Sequence, residues 1–78
     1  MYGALSVVNN TGKVISLRID GDILFFDVIP GERTKRMPVF AGTRCAQVLN
    51  NREKIVADFQ FSVPQNTHVI LKISGGKA

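Results

Sequence analysis

Three carboxylates stand close together in the stretch IDGDILFFD: Asp20, Asp22 and Asp27. Carboxylates at short spacing bind calcium and, as close pairs, take part in acid–base catalysis. An EF-hand calcium loop, however, needs the pattern Asp-x-Asp-x-Asp-Gly and a distant Glu, and the stretch has neither. Asp20 and Gly21 are instead a favoured pair for a two-residue hairpin turn, in which both residues take positive φ. We therefore predict a structural turn here and no metal site.

A second candidate for chemistry is the pair formed by Cys45 and His68, the only cysteine and the only histidine of the chain. A thiol and an imidazole in contact make a nucleophile and its base. No glycine elbow surrounds Cys45, and two residues fall short of the four ligands of a structural zinc site. The glycine-rich phosphate-binding motifs are absent from the sequence. We predict a protein that is not an enzyme and has no cofactor, with Cys45 as a small filler of a sheet face.

The third candidate is electrostatic and lies in the segment ERTKRMPVFAGTR, residues 32–44. The chain carries a net charge of +4, and this segment holds four basic residues that could contact an anion or a nucleic acid: Arg33, Lys35, Arg36 and Arg44. The alternative, which we favour, is an edge strand protected by its charges and by Pro38, which has no N–H to donate.

The elements that would position these residues are strands, because apolar and polar residues alternate with period two over 15–19, 55–63 and 69–73. Turn signals such as Asn9-Asn10-Thr11-Gly12 and Pro30-Gly31 recur about every ten residues. We predict seven strands, over about 4–8, 14–19, 22–29, 33–40, 43–49, 54–63 and 67–74. Residues 1–78 should form a single all-β domain with a frayed tail at 75–78. The predicted fold is a seven-stranded, immunoglobulin-like antiparallel β-sandwich, with a small β-barrel as the alternative.

A two-residue turn at Asp20 and Gly21 fixes the pairing of the strands that flank it. Ile19 would then face Asp22, Leu17 would face Leu24, and Ile15 would face Phe26. The alternation predicts the following core: Leu5, Val7, Ile15, Leu17, Ile19, Leu24, Phe26, Val28, Ile55, Phe59, Phe61, Val69, Leu71 and Ile73.

Three apolar residues fall on faces that the same alternation places outward: Ile23, Phe25 and Val56. Two interpretations are open. Either these residues complete the core because both sheet faces are partly covered, or they form an exposed apolar surface that contacts a protein.

The stretches LSVVNNTGKVISLRIDGDIL (5–24), VFAGTRCAQV (39–48) and VPQNTHVILKISG (63–75) together resemble a bacterial domain family of unknown function. Its members open with a strand ending in Asn, continue to an Asp-Gly turn, carry Ala-Gly-Thr before a later strand and end on a strand closed by Gly. The family is similar in outline to transthyretin-like and other immunoglobulin-like sandwiches and is often found in surface or exported proteins. The resemblance implies a sandwich fold and no catalytic residues.

The sequence therefore favours an interaction module that binds a protein partner or a second copy of itself through a sheet edge or an apolar surface. A small basic nucleic-acid-binding barrel is the alternative function. We expect no small-molecule substrate. No stretch reaches the roughly 20 apolar residues of a membrane span. The expected location is the cytoplasm, or outside the cell if a leader has been removed.

Overall fold

The computed structural model describes residues 1–75 and places seven strands in them. The strands are β1 (Tyr2–Asn10), β2 (Ile15–Ile19), β3 (Asp22–Val28), β4 (Met37–Phe40), β5 (Gly42–Leu49), β6 (Ile55–Val63) and β7 (His68–Ser74). No helix in residues 1–75 is long and apolar enough to cross a membrane. Of the predicted tail, only Gly75 lies within the described residues, and it follows the end of β7.

The strands form two sheets, one with the order β4-β1-β7 and one with the order β3-β2-β5-β6. We call them the three-stranded and the four-stranded sheet. This arrangement confirms the predicted all-β, seven-stranded sandwich, and the alternative of a closed barrel is wrong. One detail differs from the prediction: β1 and β7 run parallel, with Ala4 opposite His68 and Asn10 opposite Ser74. Alternation alone cannot reveal this, because it is the same in parallel and antiparallel strands.

The hairpin between β2 and β3 has the predicted turn. Asp20 and Gly21 have φ values of 51° and 92°, as a type I′ turn requires, and Ile19 pairs with Asp22. Beyond this pair the register differs from the prediction, because β3 has two more residues than the opposite part of β2. Leu17 pairs with Phe25 and Ile15 with Val28, and the register shifts on either side of Leu17.

Each bulge shifts the alternation by one residue and so changes which side chains point inward. Phe25 is therefore buried at 5% exposure, whereas Phe26 is 68% exposed, the reverse of the prediction. The second bulge is held by a hydrogen bond of 3.0 Å from the backbone N–H of Asp27 to the hydroxyl of buried Ser16. Asp27 there has a φ of 52°, a conformation that Asp tolerates better than most residues.

The core lies between the sheets, and most of the predicted core residues are in it. Its buried residues are Leu5, Val7, Ile15, Leu17, Ile19, Phe25, Val28, Val39, Ala46, Val48, Val63 and Ile73. Leu24, Met37, Phe59, Phe61, Val69 and Leu71 pack against them but are only partly buried. Ile55 was predicted to be buried and is 49% exposed. A bulge at the start of β6, where Val48 pairs with Ala57 but Leu49 pairs with Ile55, accounts for its position.

A buried asparagine ties β1 to two other parts of the sandwich. The side chain of Asn9 has no exposed surface, and its Nδ2 donates to the carbonyl oxygens of Lys13 at 2.7 Å and Val28 at 2.8 Å. Its Oδ1 accepts from the backbone N–H and the hydroxyl of Thr11. All four hydrogen-bonding positions of the amide are thus used, which is what allows a polar side chain to be fully buried.

Candidate functional site

Within residues 1–75, the sandwich has four strand edges without a neighbour: β3 and β6 in the four-stranded sheet, and β4 and β7 in the three-stranded sheet. An edge strand presents unpaired backbone N–H and C=O groups, to which another strand can bind. Natural proteins usually block such edges with proline, lysine, bulges or covering segments. The four edges can therefore be compared by how well each is blocked.

The β4 edge is blocked in two ways. Pro38 lies in the middle of this four-residue strand and has no N–H to donate. Before it, the chain leaves the regular ladder: the backbone N–H of Thr34 donates to the carbonyl oxygen of Val7, yet Met37 already pairs with Leu5. Between these two points the edge segment has one residue more than the part of β1 that it faces. Lys35 and Arg36 lie there, and both are exposed. The predicted charged and proline-protected edge is what the structure shows.

The β3 and β7 edges also have features that oppose the addition of another strand. The two bulges of β3 leave few consecutive residues with regular strand geometry, and Asp27 takes a positive φ in one of them. Strand β7 has no bulge, but exposed Lys72 lies within it, and a lysine on an edge opposes the approach of another strand.

The β6 edge differs from the other three. Strand β6 has nine residues, IVADFQFSV, with no proline and no lysine, and Asp58 is its only charged residue. Six of the nine residues are exposed, two are half-buried, and only Val63 at the end is buried. Val56 is 58% exposed and Ile55 is 49% exposed. Long, uncharged, β-branched and aromatic edges are the ones to which other strands add.

The reason for this exposure is the unequal width of the two sheets. One sheet has four strands and the other three, so the narrower sheet does not fully cover the wider one. Residues on the core side of β3, Phe25 and Val28, are buried, whereas Ala57 on the core side of β6 is exposed. It is therefore the first part of β6, residues 55–58, that is exposed on both faces, whereas Phe59, Phe61 and Val63 farther along the strand pack into or against the core.

A cleft of about 600 Å³ opens beside the start of β6 and the end of β7, where the β1–β2 connection and the start of β2 also line it. Val56 and Ala57 line it from β6, and Ile73 and Ser74 line it from β7. Further along the same side, Phe59 and Phe61 are only half-buried, and their ring centroids lie 6.2 Å apart. We call the side formed by β6 and β7 the open margin, and the side formed by β3 and β4 the closed margin. At the open margin, apolar side chains remain uncovered.

The four basic residues singled out in the sequence do not act as one group. Arg33, Lys35 and Arg36 lie along the edge segment beside β1, and all three are exposed. The backbone of Arg33 forms an isolated β-bridge with Val8. Arg44 lies in β5 of the other sheet, and its Nη1 donates to Asp20 Oδ2 at 2.9 Å. Asp20 Oδ1 also accepts from the backbone N–H of Cys45 at 2.9 Å. Arg44 and Asp20 thus hold the hairpin turn against β5, a structural role.

The three apolar residues predicted to lie on outward faces do not form one surface. Phe25 is buried, so its predicted outward orientation is wrong, because the bulges of β3 turn it into the core. Ile23 and Val56 are exposed as predicted. They lie on β3 and β6, the opposite edges of one sheet, which three strand spacings place about 14 Å apart.

The structure does not bring Cys45 and His68 together. Cys45 is exposed on β5, and its Sγ lies 3.8 Å from the amide nitrogen of Gln60. His68 begins β7 in the other sheet, and its Nε2 lies 2.7 Å from the hydroxyl of buried Ser6. No group of three or more metal-ligating side chains occurs within residues 1–75. The pairing of Ser6 with His68 depends on the parallel β1–β7 ladder and has no local signal in the sequence.

Comparisons of the chain with protein-family models, with curated proteins and with solved structures found no match. The resemblance to a transthyretin-like domain family therefore stays a prediction.

Proposed function

We propose that this protein is a non-enzymatic interaction module that binds an extended protein segment along the free edge of β6. The exposed β6 edge is the observation that carries the proposal: nine residues with neither proline nor lysine, interrupted only by one bulge near the start of the strand. Main-chain hydrogen bonds would supply the affinity in this mode of binding, and pockets for alternate side chains would supply the selectivity. The cleft between β6 and β7 and the half-buried Phe59 and Phe61 offer such pockets.

The test uses a simple extended strand as the probe. A peptide of alternating threonine and valine, matched in length to β6 and with a lysine added at each end, is titrated into the ¹⁵N-labelled protein. The amide signals of 55–63 should shift, and a peptide with proline at its centre should shift them much less. Absence of shifts, or shifts centred on β3, β4 or β7 instead, would contradict the proposal.

A matched pair of variants checks that the β6 edge is responsible. Ala57→Lys places a charge on the exposed, core-facing side of β6 and should abolish peptide binding. Asn10→Lys adds the same charge at an exposed position at the end of β1 and should leave binding unchanged. Equal loss in both variants would point to net charge rather than to the edge.

The basic segment of the closed margin supports a second candidate function, contact with a nucleic acid. Arg33, Lys35 and Arg36 follow one sheet edge, and none of them forms an ion pair within the described residues 1–75. Fluorescence polarisation with short labelled DNA and RNA at about 50 and 200 mM salt tests this function. Binding that weakens with salt and is lost on substitution of the three residues by alanine would support it, and no binding at the lower salt would exclude it.

A further inference from the structure

We propose that the strand bound by β6 is the β6 strand of a second copy of this chain, in an antiparallel two-fold pair centred on Phe59. This inference rests on the proposed edge function and adds the identity of the partner. The two four-stranded sheets would join into one continuous sheet. Self-pairing of this kind is isologous, so the same surface must be complementary to itself.

The sequence of β6 is self-complementary about Phe59. An antiparallel pair centred there overlaps all nine residues and places Asp58 of one copy opposite Gln60 of the other, twice. Asp58 then meets a hydrogen-bond donor and not another carboxylate. On the core side, the small Ala57 faces the large Phe61 of the second copy, so that side chains of different size alternate across the pair.

The neighbouring registers that keep the same faces together are less favourable. A shift of the centre to Asp58 places the two Asp58 carboxylates directly opposite each other, and like charges in that position are destabilising. A shift of the centre to Gln60 leaves Ile55 and Val56 without a partner residue in the other β6 strand. Of these three registers, the one centred on Phe59 combines full overlap with the absence of facing carboxylates.

Dimerisation would also resolve the unequal widths of the two sheets. In the single chain, the three-stranded sheet covers β6 incompletely: residues 55–58 are exposed, and Phe59 and Phe61 are half-buried. A second β6 placed beside the first brings its own Phe59 and Ala57 to the same side of the joined sheet. The apolar side chains of the two open margins would then cover each other.

The experiment measures the dimer dissociation constant by sedimentation velocity of the whole chain, in the presence of a reductant that keeps Cys45 as a thiol. Gln60 is exposed, and its replacement should leave the fold intact. Gln60→Lys places an ammonium group opposite each Asp58 across the two-fold axis and should tighten the dimer. Gln60→Glu creates two facing carboxylate pairs and should weaken it. Opposite-charge and like-charge pairs of this kind correspond to a change of roughly two- to thirty-fold in each direction.

The directions of these changes separate pairing in this register from an effect of net charge. The chain is already positive, so a general charge effect would make the Lys variant associate less and the Glu variant more. Asn10→Lys and Asn10→Glu measure that general effect away from β6. The double variant Asp58→Lys with Gln60→Glu restores an opposite-charge pair and should recover the affinity of Gln60→Lys.

The outcomes also separate this inference from the proposed function. A chain that stays monomeric at millimolar concentration overturns the inference, as does a dimer whose affinity changes in the reverse directions on substitution of Gln60. If the threonine–valine peptide still binds β6 in either case, the edge function survives and its partner is another protein. If neither the peptide nor a second copy binds, both proposals fail.

Discussion

The closed and open margins of this sandwich differ in how well their edge strands are protected from pairing with another strand. At the closed margin, bulges in β3, a proline in β4 and the exposed Lys35 and Arg36 interrupt both edges. At the open margin, β6 runs for nine residues with one bulge near its start and is incompletely covered by the sheet that faces it. Both margins belong to the same small core, so packing alone does not require the difference.

The contrast indicates where function is to be sought. Blocking devices cost stability or regularity, and proteins keep them where association has to be prevented. An edge that lacks these devices is either a liability for aggregation or a binding surface. Strand β6 combines such an edge with a neighbouring apolar cleft, and this combination favours binding.

The largest expected effect lies in the centre of the core, away from both margins. Leu17 on β2 has no exposed surface, and Leu17→Ala removes side-chain atoms from a fully packed site. We expect the free energy of unfolding to fall by about 2–5 kcal/mol. Urea denaturation monitored by circular dichroism measures it. A loss below about 1 kcal/mol would show that the core is packed more loosely than the structure indicates.

The next largest effect is expected at Asn9, whose buried side-chain amide joins β1 to the end of β3. Asn9→Ala removes four hydrogen bonds from a buried amide and leaves the carbonyl oxygen of Val28 without that donor. We expect a loss of about 1–3 kcal/mol, because a buried acceptor without a partner carries its full desolvation cost. Thermal unfolding with a fitted enthalpy gives the value. Asn10→Ala, one residue away and exposed, is the matched control and should be nearly neutral.

A smaller loss is expected at the open margin. Leu71 on β7 is only half-buried, so Leu71→Ala returns less apolar surface to water than Leu17→Ala does. We expect the free energy of unfolding to fall by about 1–2 kcal/mol. The ratio of the losses in unfolding free energy for Leu17→Ala and Leu71→Ala, measured by the same urea denaturation, compares the core with the open margin directly. Equal losses would mean that the open margin is covered in solution, and dilution into the monomer range would then reveal whether a second copy covers it.

The smallest effect is expected where the hairpin turn contacts β5. Asp20→Asn removes the charge that faces Arg44 but keeps an oxygen for the backbone N–H of Cys45 and a residue that tolerates positive φ. Because the ion pair is partly solvent-exposed, we expect a change of less than about 1 kcal/mol that shrinks further at high salt. Asp20→Val, which keeps neither property, should cost clearly more in the same assay.

Much of the fold follows from local patterns in the sequence. Alternation predicted seven strands, six of them to within two residues of their observed bounds, whereas the strand predicted over 33–40 is confined to Met37–Phe40. Asp20-Gly21 predicted the turn, its positive φ values and the pairing of Ile19 with Asp22. These features are determined by neighbouring residues, which is why the sequence displays them.

The errors arise where distant residues decide the local geometry. Phe25 is buried and Phe26 is exposed, the reverse of the prediction, because β3 contains bulges. One of them, at Asp27, is held by a hydrogen bond to Ser16 across the hairpin. An aspartate inside a predicted strand was the one local hint of this bulge, since Asp is enriched at positive φ. Ile55 is exposed, contrary to the prediction, because a bulge at the start of β6 interrupts the alternation, and a bulge in one strand is set by its pairing with another.

The candidate site could be predicted from the sequence only in part. The edge character of the segment around Pro38 was visible, because proline and clustered charge are blocking devices. The free edge of β6 was not, because an unblocked edge strand and a central strand have the same composition. Its position follows from strand order, which depends on all seven strands together.

The parallel ladder between the first and last strands has a mechanical consequence. Seven residue pairs, from Ala4 with His68 to Asn10 with Ser74, join β1 to β7 along nearly their whole length. Because the two strands run in the same direction, the start of β1 and the end of β7 lie at opposite ends of the ladder. Tension applied between these two points would shear the strands past each other and load all of their hydrogen bonds at once. A module pulled through these two points would therefore resist stretching more strongly than the small size of its core suggests.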